Sequence, residues 1–142
     1  MRRSVGRAWF LCVLPLLFLP VVPVAVGLAD DEKTPGLVSA PDAKNHVGQQ
    51  CTVEMTVRSS KNAAPRREYY LDSEEDFHDE KNFAVVISYD HAEAFQKAGI
   101  DDPADHYKGK RLRVTGTVIH ENDQIRMRVE KPKQIKVVDD GK

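Results

Sequence analysis

The chain has 142 residues, which is enough for one domain with a modest core and too short for two ordinary domains. Its formal net charge is −1, but the first 29 residues hold three arginines and no acid, so the remaining chain has 18 basic and 22 acidic residues and a net charge of −4. This acidic balance argues against a protein that binds nucleic acid through a general excess of Lys and Arg.

The N-terminal segment has the pattern of an export signal. A basic start is followed by residues 8–29, which carry no charge and end in small residues at Gly27 and Ala29. This pattern predicts a secretory signal peptide over residues 1–29, cleaved before Asp30. An uncleaved membrane anchor is the alternative, although three prolines in the segment disfavour a long helix. We therefore expect an exported protein, periplasmic or secreted, without a stable membrane span after cleavage.

The rest of the chain divides into a linker, one domain and a tail. Residues 30–40 are charged, contain Pro35 and Gly36 and show no hydrophobic period, so they predict a flexible linker. An ordered domain is predicted over residues 41–138, and residues 139–142 form a short tail.

Alternating side chains predict the first two strands of this domain. Residues 50–59 alternate apolar and polar positions, and Cys51 falls on the apolar side. A lone cysteine at such a position is expected to be a small buried residue without a disulfide partner in the domain. A turn-rich loop over residues 59–67 then leads to a short strand over residues 68–72.

An acidic loop, a buried strand and a helix follow. Residues 72–80 hold six carboxylates in nine positions and predict a loop, whereas residues 82–88 are continuously apolar and predict a buried strand. Asp90 and Glu93 have the spacing of a capping box, which predicts a helix that Gly99 ends.

The last part of the domain, residues 107–138, predicts a β-hairpin. Two alternating runs of apolar residues are separated by Asn122 and Asp123, which tolerate the positive φ of a two-residue turn. This turn pairs Val118 with Met127 and directs both apolar sets toward the same side of the sheet. Three strands, one helix and a hairpin predict an all-β domain with the β-β-β-α-β-β order of the oligonucleotide/oligosaccharide-binding (OB) fold.

A family resemblance rests on the following residues: Val47-Gly48, Val53-Glu54-Met55-Thr56-Val57, Tyr70-Leu71-Asp72, Phe83 to Ile87, Gly109-Lys110, Val114-Thr115-Gly116-Thr117-Val118 and Gln134-Ile135-Lys136-Val137-Val138. On the basis of these residues, the segment 42–138 resembles secreted bacterial OB-fold proteins. The hairpin is similar to nucleic-acid-binding OB domains of the anticodon-binding, helicase-associated type, and a second resemblance is to the periplasmic bacterial OB-fold family. The fold implied is a five-stranded Greek-key barrel with one helix between strands three and four, preceded by the signal peptide.

The usual ligand face of an OB fold lies across its second and third strands and the adjoining loops. In this chain the face would gather seven residues: Lys61, Arg66, Arg67, Tyr70, His120, Gln124 and Arg126. An aromatic ring beside cations is the combination that binds the bases and phosphates of a single strand, so Tyr70 is the candidate stacking residue. An ordinary solvated face is the alternative interpretation.

No metal, cofactor or catalytic residue is predicted. The acidic loop lacks the spacing and the turn glycine of a calcium-binding EF-hand loop, and the five histidines show no metal-binding spacing. No nucleophile motif or phosphate-binding glycine loop occurs, so the protein is not expected to be an enzyme.

Four arginines, Arg111, Arg113, Arg126 and Arg128, are expected on the outer face of the hairpin. Pairing with Glu54 and Glu130 on neighbouring strands would make them structural, whereas an unpaired cluster would be a docking patch for an anionic partner.

Three functional hypotheses remain open from sequence. The first is an exported, non-enzymatic OB-fold module that binds single-stranded nucleic acid, which the resemblance favours. The second is an envelope protein that binds a protein or glycan partner, which export favours. A third, a nuclease whose acidic loop holds a metal through Asp76, would require cleavage that depends on a divalent cation.

Overall fold

The computed structural model describes residues 36–139 of the protein. This part of the chain is mostly β-sheet, with a few short helices. The predicted signal peptide and most of the predicted linker lie outside the described residues, as does the tail beyond Asp139. Among the helices in residues 36–139, none has the length and apolar character needed to cross a bilayer.

The strands are β1 (Leu37–Ser39), β2 (Gln50–Thr56), β3 (Ser59–Ala63), β4 (Glu68–Asp72), β5 (Phe83–Ser88), β6 (Arg111–Glu121), β7 (Gln124–Arg128) and β8 (Ile135–Val137). The α-helices are α1 (Ala92–Lys97) and α2 (Pro103–Tyr107). Short 3-10 turns span Ala40–His46, Ala64–Arg66, Tyr89–His91 and Pro132–Gln134.

The strands pair in the order β1-β2-β6-β7-β5-β4-β3, and β8 pairs with β6. β1 with β2 and β5 with β7 are parallel pairs, and the other pairs are antiparallel. The sheet is not closed: β2 and β3 lie in different halves and are joined only by the chain at Val57 and Arg58. The N–H of Val57 donates to the carbonyl of Lys110, whereas that of Arg58 donates to the carbonyl of Asp72. This arrangement is consistent with an OB-like barrel.

The number of strands differs from the prediction. Eight strands form in the described part of the chain instead of five, because the first predicted strand bends at Val57 and Arg58 and continues as β3. β3 occupies the sequence SSKNA, which was predicted to be loop; its pairing with β4 outweighs its low intrinsic strand propensity. The other two added strands are three residues each, and β1 lies at the end of the predicted linker.

The core forms as the alternation predicted. Apolar side chains of β2, β4, β5, β6 and β7 face inward and are almost wholly buried. Phe95 of α1 and Ile100 after it join the same cluster. Cys51 is buried, as predicted, and burial raises the pKa of its thiol.

The hairpin between β6 and β7 is confirmed. Asn122 and Asp123 have φ angles of 51° and 59°, which are the positive values of a type I′ turn, and Val118 pairs with Met127. The prediction of a capping box at Asp90 and Glu93 is wrong. The helical segment begins with a 3-10 turn, and at its start the hydroxyl of Ser88 accepts a hydrogen bond from the Asp90 N–H at 3.2 Å.

Candidate ligand-binding site

The strand register gathers polar side chains on the outward side of β3, β4, β5 and β7. Lys61, Tyr70 and Arg128 lie in one cross-strand row through Val86, and Asp72 and Arg126 share the next row. Residues directly opposite one another in a sheet project to the same side. We call this surface the outer polar face; its charged and polar members are Lys61, Glu68, Tyr70, Asp72, Glu121, Gln124, Arg126 and Arg128.

Arg126 is the centre of the outer polar face, and it is only 5% exposed. Its Nε and Nη2 donate to the side-chain oxygen of Gln124 at 3.2 and 2.8 Å, and its guanidinium lies 5.5 Å from the centre of the Tyr70 ring. A carboxylate oxygen of Glu121 lies 3.9 Å from Nη1. A buried charge is stable only with such partners, so these contacts fix the guanidinium in place.

Asp72 is a second buried charged group beside Arg126. Burial raises the pKa of its carboxyl, whereas a hydrogen bond from Asn82 and the charge of Arg126 oppose that rise. The Asn82 amide donates to Asp72 at 2.9 Å, and its oxygen accepts the N–H of Glu74 at 3.1 Å. Because β4 includes Asp72, the acidic loop spans residues 73–81 in the structure, and Asn82 holds it against the end of β4.

A chain of hydrogen bonds neutralises the remaining charges of the face. Tyr70 donates its hydroxyl to Glu68, and Arg128 donates to Glu68 at 3.1 Å and to both oxygens of Glu121 at 2.8 and 2.9 Å. Burial raises the pKa of Glu68, but the hydrogen bonds from Tyr70 and Arg128 outweigh it and hold that pKa below its ordinary value. Arg128 consequently offers little free positive charge to a ligand.

A cleft of about 500 Å³ lies between the acidic loop and the tip of the β6–β7 hairpin. It is lined by Arg66, Phe77, His78, Asp79, Glu80, Asn82, Asn122, Asp123, Gln124, Ile125 and Arg126. Phe77 is half exposed, and its ring centre lies 3.9 Å from that of His78. The Gln124 amide donates to the carbonyl of Phe77 at 3.3 Å and so joins the loop to the hairpin. The lining therefore combines the aromatic residues Phe77 and His78 with Arg126 and three amide side chains.

Five of the seven residues assigned to the site from sequence come together. Arg66, Gln124 and Arg126 line the cleft. Tyr70 packs against Arg126 and bonds to Arg66, and Lys61 lies across the strand pair from Tyr70.

The other two residues lie elsewhere. His120 pairs with Ile125, so it is on the opposite side of the hairpin from Arg126 and Gln124. Arg67 lies over the Tyr89 ring at 5.6 Å and within 3.9 Å of Asp90, near the start of the helical segment.

Sequence reasoning did not assign Phe77 and His78 to the site. An aromatic pair within a loop of carboxylates is a signal that could have identified them, because a solvated acidic loop has no need of a phenyl ring. Tyr70, the predicted stacking residue, already has its ring against Arg126 and its hydroxyl on Glu68.

The four hairpin arginines do not form one cluster. Arg111 and Arg113 both bond to Glu54 on β2, in the half of the sheet away from the cleft, and these bonds lower the pKa of Glu54. Pairing with Glu54 was predicted and is observed. Glu130 makes no ion pair with an arginine in the described residues.

The acidic side chains serve local turns. Asp76 accepts the N–H of His78 at 2.9 Å, and Asp79 accepts that of Lys81 at 2.9 Å. Across residues 36–139, no three His, Cys, Asp or Glu side chains converge closely enough to hold a metal ion.

No model of a known protein family and no curated protein matches the chain. Among solved structures, it is similar to a putative aspartyl-tRNA synthetase from Leishmania major Friedlin, with 12% identity, a TM-score of 0.48 and coverage of 75% of this chain and 21% of that one. It is also similar to asparaginyl-tRNA synthetase from Pyrococcus horikoshii, with 16% identity, a TM-score of 0.47 and coverage of 71% of this chain and 22% of that one. A third similar structure is OBody AM1L10 bound to hen egg-white lysozyme, with 14% identity, a TM-score of 0.45 and coverage of 67% of this chain and 84% of that one. The chain spans about a fifth of the length of these synthetases, and likeness at this level gives no conclusion on function.

Proposed function

We propose that this protein is an exported, non-enzymatic OB-fold binding module whose cleft binds single-stranded nucleic acid. The observation that carries the proposal is the cleft of about 500 Å³, whose lining includes half-exposed Phe77 and Arg126. The pairing order of the predicted strands supports a five-stranded OB barrel within the larger sheet. The basic start and the uncharged segment of residues 8–29 support export.

One base is proposed to occupy the cleft. Aromatic side chains bind bases by stacking, and Phe77 beside His78 offers the exposed ring surface that Tyr70 does not. The amides of Asn122 and Gln124 and the guanidinium of Arg126 surround this space with polar groups.

Lys61 and Arg66 are proposed to contact the phosphates. Lys61 is exposed and has no ion pair within residues 36–139, and Arg66 is exposed at the edge of the cleft beside Tyr70. Arg126 and Arg128 contribute little, because Glu121 and Glu68 neutralise them. With two phosphate contacts, binding to a single strand should have a log–log salt slope of only about −1.4.

Fluorescence anisotropy of labelled single-stranded DNA and RNA, titrated with the full-length protein at low and moderate salt, tests this proposal. We expect Phe77→Ala to weaken binding roughly 5- to 150-fold, the range for loss of one stacked base. Lys61→Ala should flatten the salt slope by about 0.7. Lys133→Ala, on the segment before β8, is the matched charge control and should change neither the affinity nor the salt slope. Absence of binding at low salt would rule out the proposal, and cleavage that needs a divalent cation and disappears in Asp76→Ala would contradict a non-enzymatic role.

An uncharged glycan of the cell envelope is the second candidate ligand. The neutralised arginines of the outer polar face and the carboxylates lining the cleft favour it, because sugars need an aromatic surface and hydrogen bonds but no net positive charge. Neutral oligosaccharides titrated into the same protein would bind with an affinity independent of salt and sensitive to Phe77→Ala. That result, with no binding of nucleic acid, would replace the first proposal.

A further inference from the structure

We infer that Gln124 is the positioning residue for the ring of Phe77, which it holds by linking the acidic loop to the buried guanidinium of Arg126. The inference rests on the proposed function, in which Phe77 stacks on a base. It adds a residue that controls this stacking through the ring and not through a contact of its own with the ligand. The argument comes from the two hydrogen-bonding ends of one amide side chain on β7.

The orientation of the Gln124 amide is fixed by partners of opposite kind. A guanidinium carries only donors, and Nε and Nη2 of Arg126 donate to Oε1 of Gln124 at 3.2 and 2.8 Å, so the oxygen must face Arg126. The amide nitrogen then faces away from Arg126, and Nε2 donates to the carbonyl of Phe77 at 3.3 Å. A rotated amide would lose all three bonds and would place a donor against donors and an acceptor against an acceptor.

Arg126 makes this amide a firm attachment because the guanidinium is itself held on several sides. Its side chain is 6% exposed, and it lies 5.5 Å from the centre of the Tyr70 ring and 3.9 Å from a carboxylate oxygen of Glu121. A binding group is placed accurately when the side chains that support it are fixed by packing and hydrogen bonds. The sheet therefore sets the position of the Gln124 amide, and through it the position of the Phe77 carbonyl.

The rest of the acidic loop provides no equal attachment at Phe77. The other hydrogen bonds of residues 75–81 stay within the loop or reach Asn82. The Asn82 amide approaches the Phe77 carbonyl at 3.5 Å, but its shorter bond of 2.9 Å goes to Asp72. Among the described residues, the bond from Gln124 is the only hydrogen bond between residues 75–81 and a strand.

The variant Gln124→Glu separates the two ends of the amide. Its carboxylate still accepts from Arg126, but it has no N–H for the Phe77 carbonyl, and its oxygens repel that carbonyl. Asn122→Asp is the control, because it adds the same charge to the lining of the same cleft at a φ of 51° that aspartate tolerates. In fluorescence anisotropy with a labelled single-stranded RNA of mixed sequence, full-length Gln124→Glu should bind about fivefold more weakly than Asn122→Asp, the lower end of the loss of one stacked base.

The Phe77→Ala background decides whether Gln124 acts through the ring. In that background Gln124→Glu and Asn122→Asp should bind the RNA equally, because no ring remains to be positioned. A fivefold difference that persists without the ring would mean that Gln124 contacts the ligand itself, and it would overturn the inference. Equal binding of the two variants while Phe77 is present would overturn it as well.

Amide hydrogen exchange tests the attachment without a ligand. Residues 75–81 should exchange faster in Gln124→Glu than in Asn122→Asp, while the β2–β6 ladder stays equally protected in both. Equal exchange in residues 75–81 would overturn the inference even if the RNA binds. Faster exchange there, with no RNA binding by the wild-type protein, would remove the proposed function while supporting the attachment by Gln124.

A neutral variant covers the case in which the added charge unfolds the protein. Gln124 pairs across the strands with Glu121, so Gln124→Glu places two carboxylates opposite each other. Gln124→Met also removes the donor to the Phe77 carbonyl and adds no charge, so it is compared directly with the wild type. It should show the same weaker RNA binding and the same faster exchange of residues 75–81, and wild-type values for both would contradict the inference.

Discussion

The two halves of the sheet both carry arginines on their outward side, and the arginines differ in burial. In the half built on β2, Arg113 is paired with Glu54 and its side chain is 47% exposed. In the half built on β7, the Arg126 side chain is 6% exposed, enclosed by Tyr70, Gln124 and Glu121. The same residue type, in the same alternating hairpin, is a surface charge in one half and a buried charge in the other.

The difference comes from what covers each face. The acidic loop and the hairpin tip line one cleft together with Arg126, and the hydrogen bond from Gln124 to the Phe77 carbonyl joins them. Desolvation makes charge–charge and hydrogen-bond interactions stronger and the loss of any partner more costly. Substitutions in the two halves should therefore have effects of different size.

Arg126→Ala is expected to have the largest effect. Truncation removes two charge-assisted hydrogen bonds to Gln124 and the contact with the Tyr70 ring, which together should cost about 3 kcal/mol of unfolding free energy. Arg113→Ala, the matched change in the exposed half, should cost about 1 kcal/mol or less. Urea denaturation followed by circular dichroism measures both, and equal losses for the two variants would remove the distinction between the halves.

Asn82→Ala should have an intermediate effect. Its amide donates to buried Asp72 and its oxygen accepts the Glu74 N–H, so the substitution leaves buried polar groups unpaired at a cost of about 1–3 kcal/mol. Amide hydrogen exchange should also become faster in residues 73–81 while the β2–β6 ladder stays protected. Unchanged exchange in that loop would mean that Asn82 does not hold it.

The smallest expected effect is a change with pH in the stability that Glu54 contributes to the exposed half. Hydrogen bonds from Arg111 and Arg113 lower the folded-state pKa of Glu54 below its ordinary value of 4.5. A lowered carboxyl pKa contributes stability that is full above pH 4.5 and is lost as pH falls through the folded-state value. The difference in unfolding free energy between wild type and Glu54→Gln, about 1 kcal/mol or less at neutral pH, should therefore shrink in acid. A difference that is constant over a pH series of urea titrations would contradict this pairing.

The sequence was sufficient for the parts of the fold that follow local rules. Alternation and the Asn122–Asp123 turn determine the hairpin and its register, and the apolar run over β5 identifies the most buried strand. β3 was not predictable, since SSKNA is polar and becomes a strand only because β4 provides a pairing edge. Local propensity fails where long-range pairing supplies the stabilisation.

The candidate site was predictable only in part. Gln124 and Arg126 follow from the hairpin alternation, but the burial of Arg126 depends on its packing against Tyr70 of the distant strand β4, which no short-range pattern encodes. Phe77 is not assigned to the site from sequence because the carboxylates around it indicate a solvated loop.

The junction at Val57 and Arg58 has a consequence for how this protein folds. The consecutive N–H groups of these two residues bond into different halves of the sheet, and β2 on one side of the junction pairs with β6, which lies late in the chain. Neither half can be completed from neighbouring sequence alone, because each needs a strand brought in across most of the domain. Such distant pairing gives a high contact order, for which refolding on the millisecond-to-second scale is typical. The β6–β7 hairpin can form alone within about 1–10 μs and offers an early partner for the later pairing of β2 and β5.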